Sequence, residues 1–96
     1  MAIYMHAELP GVTTEQYEEL NAALAALPGN AFEGVLAHVC VAGDTGLDVY
    51  DLWESREAMD AFMARMAPVA RGLGWNAPPA PGTVAEVHRY WIPGDG

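Results

Sequence analysis

Two runs of alternating side chains flank one four-residue turn in the middle of this chain, and that arrangement limits its fold more than any other feature. GVLAHVCVA (34–42) and LDVYDLWE (47–54) have the β-branched and aromatic content and the two-residue period of strands. GDTG (43–46) between them has the residues of a hairpin turn. A four-residue turn sets Ala42 opposite Leu47, and counting outward pairs His38 with Asp51 and Leu36 with Trp53. An acid, a histidine and a tryptophan therefore share one face of an antiparallel pair.

Helical patterns lie on either side of this hairpin. Thr13 and Gln16 have the spacing of a capping box, and Val12 before them can staple onto Tyr17 at the fourth helical position. Tyr17, Leu20, Leu24 and Leu27 follow on one stripe, and Pro28-Gly29 ends helix 1. Ser55 reads as the N-cap of helix 2, with Glu57 and Asp60 where the helix dipole favours anions. The apolar stripe of helix 2 is Met59, Phe62, Met63 and Met66, and Pro68 is expected to kink or restart it.

AIYMHAE (2–8) alternates as strand 1 and TVAEVHRYWI (83–92) reads as strand 4. GLGWNAPPAPG (72–82) is a loop and PGDG (93–96) a loose tail. The order is βαββαβ over a single domain, 1–96. With right-handed crossovers it gives a ferredoxin-like α+β fold: a four-stranded antiparallel sheet, spatial order 4-1-3-2, with both helices on one face. Such a sheet leaves its second face bare, and that face must be polar or buried against something else.

Composition narrows the partners. Thirteen acids stand against four arginines and no lysine, a formal charge of −9. Nucleic acid is excluded, because phosphate binding needs clustered cations, and so is an anionic membrane surface. Cys40 stands alone, which rules out an internal disulfide and makes the cytoplasm the expected setting. No run approaches the ~20 apolar residues needed to span a bilayer.

Following strand parity, one face is expected to collect Tyr4, His6, His38, Asp51, Trp53, Glu86, His88 and Tyr90. The other holds Met5, Ala7, Val39, Leu52, Val87 and Trp91, with Arg89 as its main polar member. Three readings of the first face stay open. It can be a subunit interface whose histidines and carboxylates satisfy one another. It can be a site in which His38, oriented by Asp51, or else His6, acts as a general base. It can also be a metal site of His6, His38 and His88. No two of these lie at the short spacing of strong metal motifs, so the expectation is of no metal and no cofactor. Cys40 has no basic neighbour to stabilise a thiolate and reads as a small buried hydrophobe. Arg89 can bind an anionic or enolate oxygen, and the helix 2 methionines can form an adaptable apolar wall.

The element order, the length and DLWESREAMDAF (51–62) resemble the dimeric α/β-barrel superfamily, in particular its branch similar to antibiotic-biosynthesis monooxygenases. The resemblance implies a homodimer in which two sheets pack into a barrel and cover the bare face. Family members include cofactor-free oxygenases of polycyclic phenols, haem-degrading enzymes and polyketide cyclases. Phe62 stands where haem-degrading relatives carry a tryptophan, and no histidine occurs between His38 and His88, which disfavours haem. Asn21, Asn30 and Asn76 lie on no expected strand, so the oxygenase residue set is not reproduced.

The function the resemblance implies is a cofactor-independent monooxygenase of secondary metabolism acting on a small aromatic or polyketide-derived molecule. His38 with Asp51, or His6, would remove a proton. Tyr4, Trp53, Phe62, Met59, Met63, Met66, His88, Arg89 and Tyr90 would surround the substrate. A cyclase working without oxygen, with His6 beside Tyr4 or Tyr17, is the runner-up. A non-catalytic dimer binding a small ligand or metal is the third reading.

Overall fold

Local hydrogen bonds fix where the helices begin. In the computed structural model, which describes residues 1–76 and 79–93, Thr13 Oγ1 accepts the Gln16 N–H at 3.1 Å. Gln16 Oε1 in turn accepts the Thr13 N–H at 2.9 Å. This reciprocal cap starts α1 (Thr14–Ala25), whose Leu20 and Leu24 are buried. Ser55 Oγ accepts the Ala58 N–H at 3.1 Å and starts α2 (Arg56–Gly72), which buries Met59, Met66 and Ala70. The expected restart at Pro68 does not occur, and α2 continues through it. Pro68 is exposed, so its ring stands toward solvent and its missing N–H removes one backbone bond on the wet side.

The strands are β1 (Ile3–Pro10), β2 (Val35–Ala42), β3 (Gly46–Trp53) and β4 (Thr83–Glu86). They form one open antiparallel sheet in the order β2-β3-β1-β4, the expected order read from the other edge. The architecture is α+β and compatible with a ferredoxin-like fold. The hairpin register also comes out as counted, with Ala42 opposite Leu47 and His38 opposite Asp51. Further along, a bulge between Val35 and Ala37 absorbs one residue, so Val35 and not Leu36 faces Trp53.

The expected grouping of faces is overturned by the pairing of β1 with β3. Met5 lies opposite Asp51, and His6 opposite Tyr50. Ile3, Met5, Ala7 and Leu9 therefore share a face with Leu47, Val49, Asp51 and Trp53, all of them buried. Tyr17 of α1 and Met59, Phe62 and Met63 of α2 pack on this same face. Tyr4 and His6 point to the opposite side. Since side chains alternate, one residue of register moves a whole strand's set from one face to the other.

β4 is also shorter than expected and ends at Glu86, which pairs with Ile3 at the start of β1. One more rung follows, from the Val87 N–H to the Ala2 carbonyl at 2.9 Å, and beyond it no residue of β1 lies opposite. His88, Arg89, Tyr90 and Trp91 thus leave the sheet, and the Arg89 guanidinium lies 5.6 Å from the Trp91 ring centre. Residues 77 and 78 of the expected loop and 94–96 of the expected tail lie outside the described residues.

Gly46 closes the hairpin against β1. Its φ is +152°, and a Cβ there would lie 2.4 Å from the Leu9 carbonyl oxygen. Gly46→Ala is expected to cost about 1–3 kcal/mol of stability, read as a lower urea midpoint with an unchanged slope. The sheet face away from the helices stays open, with Val39 53% exposed, Val41 47% and Tyr50 37%. Among the described residues no helix is long and apolar enough to cross a membrane.

Candidate functional site

β2 and β3 deliver His38 and Asp51 side by side, and α1 closes over them. Asp51 is 4% exposed, the only charged side chain in the buried set among the described residues. Its Oδ1 bonds to His38 Nδ1. The other ring nitrogen of His38, Nε2, bonds to the Tyr17 hydroxyl. Tyr17 stands one turn into α1, where the Thr13–Gln16 cap fixes the helix start, and its ring lies nearly parallel to the imidazole, 7° between planes. An ionised carboxylate only accepts hydrogen bonds, so Nδ1 carries the proton and donates to Asp51. Nε2 is then the acceptor, and the Tyr17 O–H donates to it.

Burial pushes the Tyr17 hydroxyl above the usual phenol range, against a lowering by its hydrogen bond with Asn21. The negative charges that Cys40, Asp51 and Glu18 can carry add to the rise. Tyr17 therefore holds its proton at rest. Burial likewise pushes the Cys40 thiol up, partly offset by a hydrogen bond with Tyr17. Cys40 packs against the core and stays a thiol, but it is half-buried where the sequence reading expects it buried.

Beneath this chain of three lies a cavity of about 260 Å³ between the helices and the sheet. Its walls are apolar: Met5, Ala7, Leu9, Val49 and Trp53 from the sheet, Leu20 and Leu24 from α1, and Phe62, Met63 and Met66 from α2. Phe32 and Val35 complete the wall, Pro79 also lines it, and Tyr17, Asn21, His38 and Asp51 form its polar edge. Trp53 and Phe62 are tilted with ring centres 5.2 Å apart, and among the described residues the Trp53 indole N–H has no hydrogen-bond partner. Among the described residues no arginine or lysine belongs to the lining, so His38 is the one side chain there that can become a cation. The volume lies just under the roughly 300–1,000 Å³ of typical small-molecule pockets, which suits a compact ligand of about two fused rings.

Of the site residues expected from sequence, His38, Asp51, Trp53, Phe62, Met63 and Met66 meet at this cavity. Met59 does not; it is 1% exposed within the core. His6 is on the other side of the sheet, 3.0 Å from Asp48 Oδ1 and stacked on Tyr50 at 4.6 Å. Tyr4 shares that far face. His88, Arg89 and Tyr90 lie past the end of β4, away from the cavity. The three histidines are thus apart. Among the described residues no group of three or more His, Cys, Asp or Glu side chains is placed to hold a metal ion.

Tyr17, Asn21 and Phe32 are site residues that the sequence assigns elsewhere or passes over. Tyr17 is legible there as the staple partner of Val12, as the head of the helix 1 stripe and as a possible companion of His6. Its aim at β2 follows from the path of α1 across the sheet. Asn21 falls one helical turn after Tyr17, a spacing that places both on one helix face.

No protein-family model, no curated protein and no solved structure matches this chain. What the site can do follows from its own side chains. A neutral imidazole, held by a buried carboxylate at the polar edge of an apolar cavity, is suited to taking a proton from an uncharged ligand.

Proposed function

We propose that this protein is a small cofactor-independent monooxygenase-like enzyme of secondary metabolism, acting on an aromatic or polyketide-derived phenol in the cytoplasm. The observation that carries this reading is the Tyr17–His38–Asp51 chain at the edge of a cavity otherwise apolar. Removal of the phenolic proton to His38 leaves a phenolate whose negative charge is shared with a ring carbon. That carbon supplies the electrons for oxygen: its C–H becomes C=O, one oxygen atom stays on the ring, and the other leaves as water with the ring hydrogen and the proton held by His38. The resemblance of DLWESREAMDAF to the antibiotic-biosynthesis-monooxygenase-like branch of the dimeric α/β barrels is to its fold more than to any one reaction, and it supports the barrel part of this proposal.

Oxygen uptake with a dihydroxynaphthalene tests the reading. The expected result is uptake that depends on His38, falling about 10²–10⁴-fold in His38→Ala. Product formation without oxygen uptake would favour the cyclase instead, a reading that the contact between Tyr17 and His38 also supports. Binding without turnover, unaffected by His38→Ala, would leave a ligand-binding protein.

The proposal includes a homodimer with the open sheet faces packed together, as the exposed Val39, Val41 and Tyr50 support. A two-fold interface meets each substitution twice. Val39→Glu is accordingly expected to convert a dimer at micromolar concentration into a monomer, as read by sedimentation. A wild-type monomer would remove the barrel from the proposal.

A further inference from the structure

We propose that the ligand's proton leaves through the Tyr17 hydroxyl, with His38 and Asp51 acting behind it as a relay that does not touch the ligand. This rests on the reading that the cavity binds a phenol, and it changes which side chain meets the reacting atom. Both nitrogens of His38 are already engaged, Nδ1 with Asp51 and Nε2 with Tyr17. The ring has no free lone pair to offer a ligand. Tyr17 lines the same cavity, and its oxygen, while donating to Nε2, still has acceptor capacity. A ligand hydroxyl can donate to it without breaking the chain.

The step balances without an oxidant or a co-reactant. The ligand O–H bond breaks and its proton bonds to the Tyr17 oxygen. The original Tyr17 proton passes to His38 Nε2, and the electron pair stays on the ligand as phenolate. His38 ends as an imidazolium beside the Asp51 carboxylate. Burial disfavours a free Tyr17 phenolate, so the two transfers are coupled. Asn21, one helical turn on from Tyr17, lines the cavity beside it.

The test uses 2-naphthol, whose absorbance separates phenol from phenolate, with the wild-type protein and Tyr17→Phe. Wild-type protein is expected to raise the ratio of phenolate to phenol in bound naphthol about tenfold at a given pH, so that half-ionisation falls about one pH unit lower than in free naphthol. Tyr17→Phe keeps the ring and the cavity wall, so naphthol should still bind, with the gain in phenolate abolished. A gain that persists or grows in Tyr17→Phe would overturn the relay, since the freed Nε2 would then be taking the proton directly.

Long-range ¹H–¹⁵N spectra of the imidazoles supply a readout that needs no ligand. The relay expects His38 as the Nδ1–H tautomer, with an Nε2 resonance that moves in Tyr17→Phe. An Nε2–H tautomer would overturn it. If naphthol does not bind while the Nδ1–H tautomer and its response to Tyr17→Phe are found, the phenol reading fails and the relay stands.

Discussion

Trp53→Ala is expected to lower stability by about 3–5 kcal/mol. Trp53 is 1% exposed and ends β3. It pairs with Ile3 on one side and Val35 on the other, and it packs against Phe62 across the layer. Truncation would leave a void joined to the cavity already beside it, at the point where three strands and α2 meet. For a domain of this size each kcal/mol corresponds to roughly 4–8 °C of melting temperature, so the expected fall is roughly 12–40 °C.

Trp53→Phe separates packing from polarity. The indole N–H has no partner among the described residues, so its loss forfeits no hydrogen bond to them, and the expected cost is only roughly 1–2 kcal/mol. Urea midpoints of the two variants check both values. Equal losses would mean that the indole N–H is satisfied after all, and a loss below about 1 kcal/mol in Trp53→Ala would end its role as the anchor of the sheet.

What is legible in the sequence is what acts over three or four residues. The Thr13–Gln16 cap, the Ser55 cap and the four-residue turn each bond within their own segment, and each is found where the residues put it. His38 opposite Asp51 follows from counting across that turn. The register of β1 on β3 does not follow, because the chain between them passes through α1 and the hairpin, and no count of residues measures that path. A signal is nonetheless present. Leu47, Val49 and Trp53 make the odd positions of β3 apolar apart from Asp51, and Ile3, Met5, Ala7 and Leu9 do the same for β1. Burying these two sets together is the larger hydrophobic gain. Matching Asp51 with His6 by chemical type points the other way, and burial wins.

The end of β4 illustrates the same limit. TVAEVHRYWI alternates throughout, but alternation does not supply a neighbour, and β1 offers no partner past Val87. His88, Arg89 and Tyr90 lose their place at the site for that reason and not through any weakness in their own pattern.

Asp51→Asn is expected to reduce proton removal by about 10²–10⁴-fold while the fold is retained. The Asp51 carboxylate accepts from Nδ1 and so keeps Nε2 free to accept. An asparagine amide can donate to Nδ1 instead, which moves the imidazole proton to Nε2 and leaves His38 unable to take one from Tyr17, the same tautomer logic that governs an aspartate behind a catalytic histidine. Asp51→Leu sharpens the point. Leucine is apolar, of similar size, and would sit among Met5, Val49 and Trp53 on the covered face. His38 has 41% of its side chain exposed, so removing the acid strands no buried charge. Stability should stay level or rise, as when buried ionic groups give way to well-packed apolar ones. Urea unfolding and the naphthol phenolate readout together decide the matter. If Asp51→Leu loses several kcal/mol, the pair is a strut holding β2 to β3. If stability holds and the phenolate gain vanishes, a carboxylate kept under the helices against its own desolvation serves the proton.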